Sequence, residues 1–453
     1  MTLLSTVDAC FNNALDLTRQ WCTIPSVKGD EQALNRQASA IVDWLKAELR
    51  AEIVSAVAPA GRAPVIHARL DVGAATTVIL YNMYDVMPAT LQGWSADPFA
   101  GGIVDLPGIG GSFVARGAEN NKGPLTGMLW ALKALADAGK LRVNVEILVD
   151  GEEESGSSAM RDYLADPACQ VRPSVSAIFP SFCEYGGGAP RIYLGFSGIA
   201  KGEVRVEGGA WGGPRTAIHS SNAPWIANPA ARLVEALSLI GASPTGALDK
   251  IAIDAEAAAV ISTLAKAFDP AAELRFRKTD TFAIEGSGRE LLEHVLSTTS
   301  FNISSLESMP LGADGVIPHG ARAGFELRAP PSLDPADFLA DYRKALANMP
   351  GAVLTIADSY PGFRFPAKAP GVSALLKSYE ATAVAAPQIW PWAIGAAPAY
   401  AFAPHAGSFL LAGAGRGGNA HGIDEFMTLE GFRRFIWSIA IWLDAMAEEG
   451  EAP

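Results

Sequence analysis

Two apolar runs with no polar break constrain this chain most. They are TTVILYNMYD at 76–85 and VNVEILVD at 143–150. Runs of this length, rich in β-branched residues, suit strands buried on both faces, which occur in parallel sheets covered by helices. Between them lies a stretch with helical periodicity, in which Leu125, Met128, Leu129, Leu132 and Leu135 mark a buried face and Gly139 marks the end. SVSAIF at 174–179 reads as a third strand, and QALNRQASAIVDWLKAELR at 32–50 as a helix. Strand–helix alternation of this kind predicts an α/β domain with a mostly parallel sheet flanked by helices.

Near residue 198 the texture changes. KGEVRVEG (201–208), TSFNIS (299–304), ARAGFELRA (321–329) and VLTIADS (353–359) alternate as half-exposed strands do, with helices after Asn228-Pro229 and over about 335–348. After about 362 the α/β texture returns, with SFLLAGAG (408–415) as a strand and a closing helix at 428–447. The reading is a catalytic α/β domain in two parts, 1–197 and 362–453, interrupted by an α+β lid or dimerisation domain at 198–361. A chain of 453 residues has room for two cores.

The net charge of −13 disfavours nucleic acid and anionic membranes as partners. Cys10, Cys22, Cys169 and Cys183 show no CxxC spacing and read as free thiols of a reducing compartment. No apolar stretch approaches the roughly 20 residues of a membrane span. The expectation is a cytoplasmic protein.

In open α/β sheets, ligands bind beyond the carboxyl ends of the strands. Four polar clusters fall there: NMYDVMP, RGAENNKG, GEEESGS and NAHGIDE. Glu152, Glu153 and Glu154 follow a buried strand with no basic neighbour. They read either as a solvated acidic turn opening a helix or as a metal ligand beside a general base. His421 stands after a glycine-rich turn, where it reads as structural or as a metal nitrogen. His219, in AIHSSNAP, reads as a surface histidine or as a substrate donor reaching another subunit.

These clusters, in this order around an insert, resemble the aminoacylase, carnosinase and succinyl-diaminopimelate desuccinylase family of metallopeptidases (an M20-like fold). YDVMP, GWSADPF, RGAENNKGP, GEEESGS, IHSSNAPWIANP, VIPHGARAGFELRAPPSLDP and AHGIDEF carry the resemblance over nearly the whole chain. It implies a two-domain subunit, a homodimer or higher oligomer through the lid, and amide hydrolysis at two metals.

The ligands match one by one. The histidine of the family's His-x-Asp motif is Met83 here, while Asp85 is retained and is expected among the catalytic residues with Glu153 and His219; the bridging aspartate is Asn120. The acidic ligand after the third strand falls at Ser181, with Cys183 or Glu184 as neighbouring substitutes. Glu153 matches the general base, Glu154 and His421 the ligands of one metal, and His219 the histidine that reaches across the dimer. Met83 and Ser181 belong to the other metal.

The resemblance therefore implies one divalent ion per chain held by Asn120, Glu154 and His421, with Mn²⁺ favoured and Zn²⁺ as the other candidate. The expected substrate is a small molecule, a carboxylate, contacted by Arg328, Asn302, Trp390 and Trp392, with IWPWAIGAAPAY standing where relatives keep an arginine. The leading reading is an aminohydrolase releasing ammonia from a carboxylated aromatic amine, as a 5-nitroanthranilate aminohydrolase does. The alternatives are an amide hydrolase (dipeptidase or N-acyl amino acid deacylase) and a non-catalytic binding protein.

Overall fold

The computed structural model describes residues 3–58 and 61–449. Its spine is an eight-stranded sheet in the order Glu52–Val57, Val65–Leu70, Asn144–Asp150, Thr77–Met83, Ser176–Pro180, Phe409–Ala412, Arg191–Tyr193, Gln388–Trp390. The four central strands run parallel, with Met83 opposite Asp150 and Ala412 opposite Pro180. Their carboxyl ends therefore open at one edge. Every residue of Asn144–Asp150 and Ser176–Pro180 is buried, as the unbroken apolar runs require.

Helix Lys122–Asp137 packs between Phe11–Cys22 and the long helix Leu429–Glu449, and its five predicted leucine and methionine positions are all buried. The start of this helix is tied down by Lys122. Its buried ammonium donates to the carbonyls of Trp21 and Ile24 at 3.0 and 2.6 Å, and burial lowers its pKa to about 8.

A second sheet, in the order Ala247–Lys250, Thr298–Met309, Gly320–Ala329, Gly198–Glu207, Ala352–Tyr360, is antiparallel throughout. Helices Pro229–Leu239 and Pro335–Leu346 cover one face through Leu233, Leu237, Leu339 and Leu346. Both start at an Asn or Asp whose side chain accepts from the chain two residues on, with proline in the first turn.

One part of the expected insert behaves differently. Helices Ala255–Leu264 and Gly288–Ser297 bury Ala257, Ile261, Leu264, Leu292 and Leu296 in the core of the first sheet, not of the second. The segment thus caps the sheet edge at Gln388–Trp390.

A small four-stranded sheet joins Gly102–Leu106 and Gly110–Val114 to Phe426–Thr428 and Gly417–Gly418. It brings RGAENNKG beside the segment carrying His421. No helix among the described residues is long and apolar enough to cross a membrane.

Candidate metal centre and cleft

The acidic turn follows its strand at once: Glu153–Ser155 forms a single 3₁₀ turn just past Asp150. Asp85, just past the neighbouring strand, fixes that turn. One of its oxygens accepts from the backbone of Glu153 at 3.1 Å, the other from Glu154 at 3.0 Å. Asp85 is 1% exposed, so it acts through the turn rather than on a ligand. Burial, then Asp150 and Glu154, raise its pKa well above the carboxylate range.

Three side chains converge above the turn. Asn120 Nδ2 donates to Glu154 Oε1 at 2.7 Å and lies 3.1 Å from His421 Nε2, which is 3.0 Å from Glu154 Oε1. Donors about 2.1 Å from one cation stand roughly 3.0–3.4 Å apart in octahedral or tetrahedral geometry. The spacing therefore fits one divalent ion after slight expansion, with the amide turned to present Oδ1. Among the described residues no group of three or more His, Cys, Asp and Glu is placed to hold a metal, so the cluster reaches three donors only through the amide. The bond from Glu154 raises the pKa of His421, although burial opposes it. His421 holds a positive φ of 63°, a conformation that costs a non-glycine residue about 1 kcal/mol.

Neither side chain at the positions expected for a second metal is placed as a ligand. Met83 is fully buried in the core. Ser181 donates to Asn121 Oδ1 at 3.2 Å. Neither neighbouring substitute fills the gap: Cys183 is buried, which pushes its thiol pKa up, and the buried Glu184 carboxylate is paired with Arg434.

Glu153 faces a cleft of about 320 Å³ whose wall includes Glu119, Asn120, Ser181, Arg191 and Arg277. Burial, then Glu154 and Asp85, push the Glu153 pKa well above the carboxylate range. A carboxyl that holds its proton more tightly than usual suits proton transfer to and from a reacting group.

Two acids here have no counterpart in the sequence expectations. Glu425 is fully buried, pairs with Arg116, and one of its oxygens accepts from the backbones of Gly117, Glu119 and Asn120 at 2.8–3.0 Å. It shapes the loop that aims Asn120. Glu119 is 8% exposed and its Oε2 has no hydrogen-bond partner. Burial, then Glu425 and Glu154, push its pKa up to about 8. The available signal was an acid inside each quoted motif.

The remaining expected residues lie elsewhere. Trp392 is buried in the core, away from the cleft. Trp390 is also buried and stacks on Arg191, lining a neighbouring cavity. Arg328 pairs with Glu326 and lines a separate hollow of about 400 Å³. Asn302 is exposed on the strand Thr298–Met309. His219 is exposed, bonds Ser221 and stands outside the cleft of its own chain. Arg191, on the sheet strand Arg191–Tyr193, and Arg277, on the segment 255–297 that folds back onto the sheet edge, occupy the cleft wall instead.

Paired acids past a strand of the parallel sheet thus face a histidine carried by the small four-stranded sheet, and a larger antiparallel sheet completes the fold. The chain belongs to peptidase family M20/M25/M40, whose model matches residues 79–440. It is 32% identical over 147 residues to the Cys-Gly metallodipeptidase dug1 of Schizosaccharomyces pombe, covering 32% of this chain and 29% of that one. To DUG1 of Saccharomyces cerevisiae it is 27% identical over 273 residues, covering 57% and 54%. The matched part thus spans about a third to a half of these relatives. An M20 family metallo-carboxypeptidase from Sulfolobus solfataricus has the same fold, with a TM-score of 0.84 at 24% identity over 96% of this chain and 99% of that one.

Proposed function

We propose that this protein is a metal-dependent hydrolase of the peptide bond in dipeptides or similarly short substrates, working with one divalent ion at Asn120, Glu154 and His421. The observation that carries it is the turn Glu153–Ser155: Glu154 faces the nitrogen donors, and the adjacent Glu153 faces the cleft. The names of the relatives support a peptide over the aromatic amine first expected.

When bound, the ion supplies Lewis acidity toward the scissile carbonyl and its attacking water. Glu153 takes the proton of that water and returns it to the leaving nitrogen. Asp85 holds both glutamates in register through their backbone N–H groups. His219, exposed on the second sheet's side, serves the site of a second copy by stabilising negative charge on the substrate. In this proposal residues 198–361 act as lid and dimer contact.

The test is Glu153→Gln. Hydrolysis of a dipeptide panel should fall by about 10²–10⁴, while elemental analysis still finds one ion per chain. Glu154→Ala should lose the ion. A protein that binds no Mn²⁺ or Zn²⁺ would leave only a binding role.

A further inference from the structure

Beside Glu153 the cleft is bounded by two arginines that share one acid. Arg191 is nine-tenths buried, with its guanidinium 5.0 Å from the ring centre of Tyr185 and 4.6 Å from that of Trp390. It donates to Glu273, whose other oxygen accepts from Arg277 Nε at 3.2 Å. Two guanidinium charges against one carboxylate leave the group one positive charge in excess. The Nε of Arg191 is buried and has no hydrogen-bond partner. One buried and one partly exposed arginine sharing a single carboxylate suit an anion, and a carboxylate matches their planar forks.

Behind the arginines lies a second cavity of about 310 Å³, walled by Phe268, Phe282, Leu292, Val295, Trp390 and Ile394. Arg191, Tyr193, Arg277 and Ile394 line both this cavity and the cleft. A cavity of roughly 150 Å³ with such a lining already holds a benzene ring. The helices of segment 255–297 form its far side, which explains what their departure from the second sheet achieves.

We propose that this cavity is a substrate subsite for a large apolar side chain borne next to a free carboxylate, with Arg277 and Arg191 receiving the carboxylate. The proposal deepens the peptidase reading and rests on it for the substrate: a dipeptide ending in a residue such as leucine or phenylalanine. It also assigns the role expected of Arg328 and Asn302 to residues that line the cleft.

Binding can be measured apart from turnover, by calorimetry of the Mn²⁺-loaded protein with L-phenylalanine, glycine and L-phenylalaninamide. Phenylalanine should bind about ten- to a hundredfold more tightly than glycine, and about tenfold more tightly than its amide. Arg277→Gln, at a side chain 41% exposed, should weaken phenylalanine about tenfold and the amide far less. Val295→Trp, at a residue 42% exposed, should fill the cavity and weaken phenylalanine more than glycine. Equal binding of phenylalanine and glycine, or indifference to both variants in folded protein, overturns the subsite. Phenylalanine binding in the expected pattern without hydrolysis of any dipeptide overturns the peptidase reading and leaves the subsite standing. Hydrolysis of dipeptides with no preference for an apolar carboxyl-terminal residue does the reverse.

Discussion

Asn120 is the residue on which the proposed chemistry turns. An amide oxygen offers a cation a dipole where a carboxylate would offer a charge. In the partly buried cluster, restoring that charge with Asn120→Asp should tighten Mn²⁺ binding at least about tenfold by calorimetry. An unchanged affinity would show that the amide is not a ligand. That Glu154, His421 and Asn120 come together could be expected from the sequence, because each sits in a polar motif following a strand, and the strands themselves were legible. Glu425 was not singled out, since its role is three backbone hydrogen bonds to a loop about 300 residues away. Arg191 and Arg277 were also missed: neither lies in a motif, and Arg277 reaches the cleft only because the segment 255–297 packs on the first sheet.

At the scale of elements, strands buried on both faces could be read from unbroken apolar runs, and their bounds in the structure lie within a few residues of that reading. The helices after residue 250 were not anticipated, because an amphipathic period marks a buried face without saying which core buries it. Strand pairing carries its own charged device. Glu146, in the middle of Asn144–Asp150, is fully buried and bonded to His67 and to Arg69 Nε, the latter at 2.8 Å, both on the neighbouring strand. Burial alone would raise its pKa, but these partners outweigh burial and hold it below the usual value of 4.5. The stabilisation is therefore present above about pH 4.5 and is lost as pH falls through the lower folded value. Glu146→Gln should cost about 3 kcal/mol at pH 7 by denaturant unfolding. The gap to the parent protein should narrow once the pH drops below 4.5; a gap independent of pH would mean the charge of Glu146 contributes nothing.

For the whole molecule, the two sheets are joined by more than the chain. Arg161, on the helix after the acidic turn, bonds Asp358 of the second sheet at 2.7 Å and stacks on Tyr360 at 4.6 Å. The second sheet is thereby held close to the turn that bears Glu153. Within one chain, however, His219 stays exposed and outside the cleft. If its partner is the site of another copy, His219→Ala and Glu153→Gln chains should each be inactive alone. Mixed after dissociation and reassembly, they should recover about a quarter of parental activity, because half the dimers are mixed and each holds one intact site. No recovery in verified mixed dimers would show that His219 does not serve the site of another copy.

The carboxylate of Glu425 also sets an order of events. It comes from the loop before the last strand, yet it alone gathers the N–H groups of Gly117, Glu119 and Asn120. During synthesis, the loop bearing Asn120 emerges some 300 residues before the acid that shapes it. Glu153 and Glu154 are likewise exposed to the ribosome's surroundings long before His421 arrives. A nascent chain therefore carries Glu153 and Glu154 before the strand Phe426–Thr428 docks and Glu425 fixes the loop of Asn120.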